Sequence, residues 1–92
     1  MLEKRNFYIN GSWVVPKKSS DIEVINPATE KACAVISLGS KDDVNDAVMS
    51  AKEAFKTWGY STREDRIALL ETFYTLYKKR WNDITDAIIQ EM

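Results

Sequence analysis

Apolar and β-branched residues alternate with polar ones in the first third of the chain and predict short strands between about residues 7 and 37. Two apolar runs, at residues 7–9 and 13–15, flank Asn10-Gly11, the residue pair that best tolerates positive φ at both turn positions. The pattern therefore predicts a tight β-hairpin. Two further strands are predicted at residues 22–25 and 32–37, on either side of an Asn-Pro turn.

After Ser40 the apolar residues recur at steps of three and four positions, which is the period of an amphipathic helix. The predicted helices span residues 41–58, 62–81 and 83–92. Ser40 is the expected N-cap of the first helix, and Gly59 is expected to end that helix in the left-handed region. Ser61 and Glu64 have the spacing of a capping box at the start of the second helix.

The predicted elements leave apolar surface without cover. Apolar residues occupy about half the circumference of the second helix, so neighbours must cover it from two directions. Short hairpins are marginal alone, and the third helix reaches Glu91-Met92 without a glycine, a proline or a cap. From the pattern alone two interpretations stay open: a piece of a larger protein, or a complete small α+β domain with a frayed end.

Composition excludes several classes of function. The 92 residues suffice for one small domain, and 13 basic against 14 acidic residues argue against a nucleic-acid binder. A single cysteine excludes an internal disulfide, and the lack of histidine removes the commonest general base and zinc ligand. No apolar run reaches the length of a membrane helix and the start lacks an apolar signal-peptide core, so we expect no membrane partner and a cytoplasmic location.

Five motifs follow one another along the chain. They are Phe7-x-x-Asn10-Gly11-x-Trp13, Val24-Ile25-Asn26-Pro27-Ala28-Thr29, Asp43-Val44-x-x-Ala47-Val48-x-x-Ala51-x-x-Ala54-Phe55-x-x-Trp58, Arg66-x-x-x-Leu70 and Glu91-Met92. Each motif alone is weak, because Asn-Pro turns and alanine stripes are common. In this order and spacing, however, the motifs resemble the N-terminal segment of the aldehyde dehydrogenase superfamily over nearly the whole chain.

The resemblance implies enzymes of several hundred residues that use NAD or NADP to oxidise aldehydes to carboxylic acids. In that family a cysteine thiolate attacks the aldehyde, hydride passes to the nicotinamide, and a glutamate activates water. The family's cysteine, glutamate, oxyanion asparagine and cofactor-binding turn have no counterpart in these residues. The resemblance therefore implies a truncated α+β fragment of the α/β cofactor-binding domain, inactive alone and without a cofactor of its own, whose partner is the remainder of the parent enzyme.

Two pairs of residues are candidate sites. By the resemblance, the backbone carbonyls of Val24 and Ile25 correspond to ligands that hold a monovalent cation in some relatives. Independently, Arg66 lies inside the apolar arc of the second helix, and Glu91 projects with the apolar residues of the third. A buried charge needs a partner, and antiparallel second and third helices would bring these ends together. The sequence therefore predicts a structural ion pair between Arg66 and Glu91.

The other chemically suggestive residues have structural interpretations. Cys33 lies in a predicted strand without a nearby cation or helix N-terminus to activate its thiol, so we do not expect it to be a nucleophile. Asp42 and Asp43 point about 100° apart on a helix and are interpreted as anions favoured by the helix dipole. The three tryptophans close apolar stripes or strands and are interpreted as core residues: Trp13, Trp58 and Trp81.

Two functions from different classes compete at this stage. The first is a structural segment of an aldehyde dehydrogenase, and the second is a stand-alone interaction module whose second helix binds a protein partner. Either way, the apolar side of the second helix and the free strand edges predict self-association of the separate chain.

Overall fold

The chain forms five short strands followed by three helices, in a computed structural model that describes residues 1–92. The strands are β1 Leu2–Lys4, β2 Phe7–Ile9, β3 Ser12–Val14, β4 Asp21–Asn26 and β5 Lys31–Ser37. The helices are α1 Lys41–Trp58, α2 Arg63–Lys79 and α3 Trp81–Glu91. This is an α+β arrangement with the strands preceding the helices, as the sequence predicts.

The strands form two separate sheets. One is three-stranded in the order β1-β5-β4, with β1 parallel and β4 antiparallel to β5. Strand β1 is not predicted by the sequence pattern, because its three residues are too few to show an alternation and Leu2 pairs with Ala34 only in the folded chain. The pairing of β4 with β5 contains an irregularity between Val24 and Ile25, which is typical of a β-bulge.

The second sheet is the hairpin of β2 and β3, in which Phe7 lies opposite Val14. Asn10 and Gly11 have φ of 53° and 78°, so both central residues of the turn lie in the left-handed region. This confirms the hairpin predicted from the Asn-Gly pair, because such turns match the twist of the flanking strands.

The helix starts confirm one predicted cap and correct another. Ser40 caps α1, where it forms a reciprocal capping box with Asp43. At α2 the cap is Thr62, whose hydroxyl accepts a hydrogen bond from the Asp65 amide at 3.1 Å, whereas the hydroxyl of Ser61 is buried without a hydrogen-bond partner. The prediction for Ser61 was therefore wrong by one residue. The left-handed end predicted at Gly59 was also wrong, since its φ is −59°.

Helices α2 and α3 are separated by Arg80 alone, and α3 begins at Trp81 rather than at residue 83. An antiparallel helical hairpin needs a loop of about 2–5 residues. The single-residue junction is too short for that turn, and α3 contacts β4 as well as α2. No helix of the structure combines the length and the apolar character needed to cross a bilayer.

The chain closes almost no core of its own. Only Val35, at 7% exposure, and Asp43, at 5%, are buried among the 92 residues. The radius of gyration is 16.9 Å, against about 12 Å for a compact domain of this length. The accessible surface is 8008 Å², against about 5,500 Å² for a folded monomer of this mass. The fold is therefore an open arrangement in which most apolar side chains face outward.

Candidate functional site

Asp43 is the buried polar centre of the chain and joins the strand half to the helical half. Its carboxylate accepts hydrogen bonds from the Ser40 amide at 2.9 Å, from the Ser40 hydroxyl at 2.8 Å, and from the Lys17 amide at 3.1 Å. The amides of Ser40 and Lys17 stabilise the charged form and lower the pKa of Asp43 below its ordinary value of 3.8. The carboxylate thus holds the segment after β3 against the start of α1.

Exposed ion pairs join neighbouring segments of the chain, and one of them lies at the same junction. Lys17 Nζ lies 2.9 Å from Asp46 Oδ2 on α1, and this contact raises the pKa of Lys17. Beyond β1, Arg5 contacts Asp21 and Glu3, each at 2.9 Å, and the hydrogen bond that Arg5 donates to the Asp21 carboxylate is the main reason why the pKa of Arg5 is raised. Because these side chains are solvent-exposed, the pairs contribute little stability individually.

An open groove runs between the β2–β3 hairpin and α1. Its hairpin side includes Ile9 and Val14, its α1 side includes Met49 and Ser50, and Asp43 is also part of its lining. The carboxylate of Asp43 is engaged by three hydrogen-bond donors, and the other two acidic residues of the lining are paired, Asp46 with Lys17 and Glu53 with Lys56. No carboxylate of the groove is therefore without a partner. No group of three or more histidine, cysteine, aspartate or glutamate side chains is arranged to hold a metal ion. The groove is a packing contact between two elements.

Helix α2 carries a broad group of exposed apolar side chains. Leu70 and Phe73 are 65% and 64% exposed, which is far above the exposure of core residues. We call the exposed apolar residues of this helix the apolar surface of α2: Ile67, Leu69, Leu70, Phe73, Tyr74, Leu76 and Tyr77. Contiguous apolar areas of this kind mark interaction surfaces.

Aromatic rings continue the apolar surface of α2 toward α3. The rings of Phe73 and Tyr77 stack at 6.4 Å, and Tyr77 meets Trp81 edge-on at 5.5 Å. Rigid aromatic side chains lose little conformational entropy on docking, so they suit a surface that a partner covers.

The predicted ion pair between Arg66 and Glu91 does not form. Arg66 instead donates from Nε to the Thr62 carbonyl at 3.4 Å, and the salt bridges of the structure involve other residues. The physical reason is the one-residue junction at Arg80, which prevents α3 from folding back along α2.

The remaining candidate residues lie in or near the sheets. The thiol of Cys33 donates a weak hydrogen bond to the Val24 carbonyl at 3.4 Å, which gives it a structural contact within the β4–β5 pair. Val24 and Ile25 lie at the point where the register of β4 against β5 shifts past Cys33, and their role as cation ligands stays a prediction. The tryptophans are exposed rather than buried in this chain: Trp13, Trp58 and Trp81.

Sequence reasoning missed the contact between Lys17 and Asp43. The spacing of Ser40 and Asp43 carries a local signal, because it is that of a reciprocal helix cap. The Lys17 amide, in contrast, lies 26 residues away in sequence and donates through its backbone, which no side-chain motif reveals.

Comparison with known proteins assigns the chain to one family profile, described as the aldehyde dehydrogenase family, over residues 13–92. The chain is 42% identical over 92 residues to 3-succinoylsemialdehyde-pyridine dehydrogenase from Pseudomonas sp., covering 100% of this chain and 19% of that protein. It also superposes on the crystal structure of an aldehyde dehydrogenase from Bartonella henselae with a TM-score of 0.98 and 47% identity, again over 100% of this chain and 19% of the other. The chain thus spans about a fifth of the length of these relatives and corresponds to their N-terminal part.

Proposed function

The chain belongs to the aldehyde dehydrogenase family, and we propose that it acts as the N-terminal structural segment of an NAD(P)-dependent enzyme that oxidises aldehydes to carboxylic acids. In this proposal residues 1–92 form part of the cofactor-binding domain, and the remainder of the polypeptide supplies the reacting groups. NAD or NADP binding, a cytoplasmic location and assembly into an oligomer are proposed for the parent enzyme, not for this segment.

The observation that carries the proposal is the surplus of exposed surface. The accessible surface of 8008 Å² exceeds that of a compact monomer of this mass by about 2,500 Å². A standard protein–protein interface buries only about 800 Å² on each partner, and areas several times larger are typical of obligate contacts. The surplus therefore supports a permanent partner that covers a large part of the chain, as the rest of the same polypeptide would.

The side chains of this segment also support the proposal that the reacting groups lie in the rest of the enzyme. The chain has no histidine, its single cysteine donates to a carbonyl within a strand pair, and the carboxylate of Asp43 is engaged by backbone amides. None of these groups is free to act as nucleophile or general base. The alternative of a stand-alone interaction module is not favoured, because relatives match the chain over its full length as one part of a larger enzyme.

The test of the proposal is a chimera in which residues 1–92 replace the matched N-terminal part of the Pseudomonas 3-succinoylsemialdehyde-pyridine dehydrogenase. We expect the chimera to retain the activity of that enzyme, whereas the separate 92-residue chain binds no NAD and turns over no aldehyde. The control is the same enzyme with its N-terminal part deleted, which should be inactive. Aldehyde turnover by the purified 92-residue chain would contradict the proposal.

We also propose that the separate chain self-associates. Without its partner, the apolar surface of α2 has no cover, and a second copy of the chain is the nearest apolar surface in a pure sample. Sedimentation equilibrium at micromolar concentration should then report a mass above the 10.6 kDa of one chain. A strictly monomeric sample over that concentration range would contradict this expectation.

A monovalent cation site at the Val24 and Ile25 carbonyls is a further part of the proposal for the parent enzyme. Its support is the resemblance to relatives that hold a cation at the corresponding carbonyls; in this chain the Val24 carbonyl accepts a weak hydrogen bond from the Cys33 thiol, which a cation would replace. In such a site only backbone oxygens of this segment would take part, and further ligands would come from the rest of the enzyme.

A further inference from the structure

Arg66 stands on the midline of the apolar surface of α2. At 100° per residue, Leu69 and Phe73 project on one side of it, and Leu70 and Tyr77 project on the other. Arg66 lies in the first two turns, so it occupies the N-terminal margin of this surface. Any partner that covers the two flanking rows of apolar side chains therefore also approaches the guanidinium.

The guanidinium has no anionic partner within the chain. The four positions within reach of Arg66 along the helix are Thr62, Arg63, Leu69 and Leu70, none of which is acidic. Its Nε donates to the Thr62 carbonyl, and no salt bridge uses its charge. A cation near a helix N-terminus is also disfavoured by the helix dipole. Nothing in the chain itself compensates the charge.

We infer that the surface covering α2 presents a carboxylate to Arg66. This inference rests on the proposed function, because it takes the remaining four-fifths of an aldehyde dehydrogenase chain as the occupant. Burial of an unpaired charge is strongly unfavourable, and the planar guanidinium matches a carboxylate through two parallel hydrogen bonds. The occupant is thus an apolar surface with one acidic side chain, and the pair fixes the register of docking.

The experiment uses the chimera described above and compares Arg66→Met with Lys79→Met, which removes the same charge from the opposite, polar side of α2. We expect Arg66→Met to lower the thermal unfolding midpoint at pH 8 by about 5 °C, and Lys79→Met to leave it nearly unchanged. At pH 5 the deficit of Arg66→Met should shrink by at least half. The reason is that burial raises the pKa of the unpaired carboxylate, which then takes up a proton. Arg66→Lys, which keeps the charge but loses the two parallel hydrogen bonds, should lower the midpoint less than Arg66→Met does.

The outcomes separate this inference from the proposed function. Two results with an active chimera would overturn the inferred carboxylate partner of Arg66 while leaving the proposed function intact. The first is an equal loss of stability in Arg66→Met and Lys79→Met. The second is a loss of stability in Arg66→Met that is the same at pH 5 and pH 8. If Arg66→Met prevents folding of the chimera, folding restored by Arg66→Lys supports the pairing, and equal failure of Arg66→Lys overturns it. An inactive, unfolded chimera without any substitution would instead contradict the proposed function and the inference with it.

Discussion

Replacement of Asp43 by alanine should lower the thermal unfolding midpoint of the chimera that carries residues 1–92 by about 5 °C, measured by far-UV circular dichroism. The carboxylate accepts three hydrogen bonds from Ser40 and Lys17 and is 5% exposed. Its removal leaves the Lys17 and Ser40 amides without their acceptor, so that the Lys17–Asp46 ion pair and weaker contacts alone hold the segment after β3 against α1. Asp43→Asn should have an intermediate effect, because an amide keeps one acceptor oxygen but places a donor toward Ser40.

The matched control is Asp42→Ala, which removes the neighbouring carboxylate from the same first turn of α1. Only the favourable interaction of Asp42 with the helix dipole is lost, so its effect should be a small fraction of that of Asp43→Ala. Equal effects of the two substitutions would show that Asp43 acts only as a first-turn anion and does not hold the two halves together.

The pH dependence of stability provides an independent readout of Asp43. Its pKa is lowered in the folded chain from the ordinary value of 3.8. The Asp43 carboxylate therefore stabilises the folded state at pH values above the pKa that this group has in the unfolded chain. That contribution is lost as the pH falls from about 4 through the lower pKa that Asp43 has in the folded chain. The difference in thermal unfolding midpoint between the chimera and its Asp43→Ala variant should have its full size at pH 6 and should narrow progressively below pH 4.

Replacement of Leu70 by lysine should abolish most of the activity of the chimera and should reduce the self-association of the separate chain. Leu70 is 65% exposed here and lies within the apolar surface of α2, which the proposed partner covers. In the chimera, a buried lysine without a partner should disrupt docking and abolish most of the activity, since such burial is destabilising by several kcal/mol. In the separate chain, the same charge faces water and should lower the sedimentation mass toward that of a monomer.

The control for this prediction is Thr72→Lys on the polar side of α2, where lysine remains solvated in both contexts. It should leave both the activity of the chimera and the self-association of the separate chain unchanged. Full activity of the Leu70→Lys chimera would contradict docking through this surface, and Phe73→Asp, on the adjoining row of the same surface, provides a second test of the conclusion.

Most of the secondary structure could be predicted from neighbouring residues. The Asn10-Gly11 turn and the Ser40 cap follow from local backbone preferences, and both are present in the structure. Local preferences do not decide between two adjacent residues that can both cap a helix, and at α2 the cap is Thr62 and not the predicted Ser61. Sequence reasoning also failed for the candidate ion pair, because the position of Arg66 on its helix said nothing about the direction that α3 takes after Arg80.

The sequence by itself determined the order of strands and helices, the apolar arc of α2 and the motifs of the aldehyde dehydrogenase family, because these depend on residues a few positions apart. Only the tertiary structure decided that β1 pairs with β5, that Asp43 accepts from Lys17, and that almost no side chain is buried. These features depend on contacts between residues far apart in the chain. A periodic pattern shows which side chains are apolar, but it does not show whether anything in the same chain covers them.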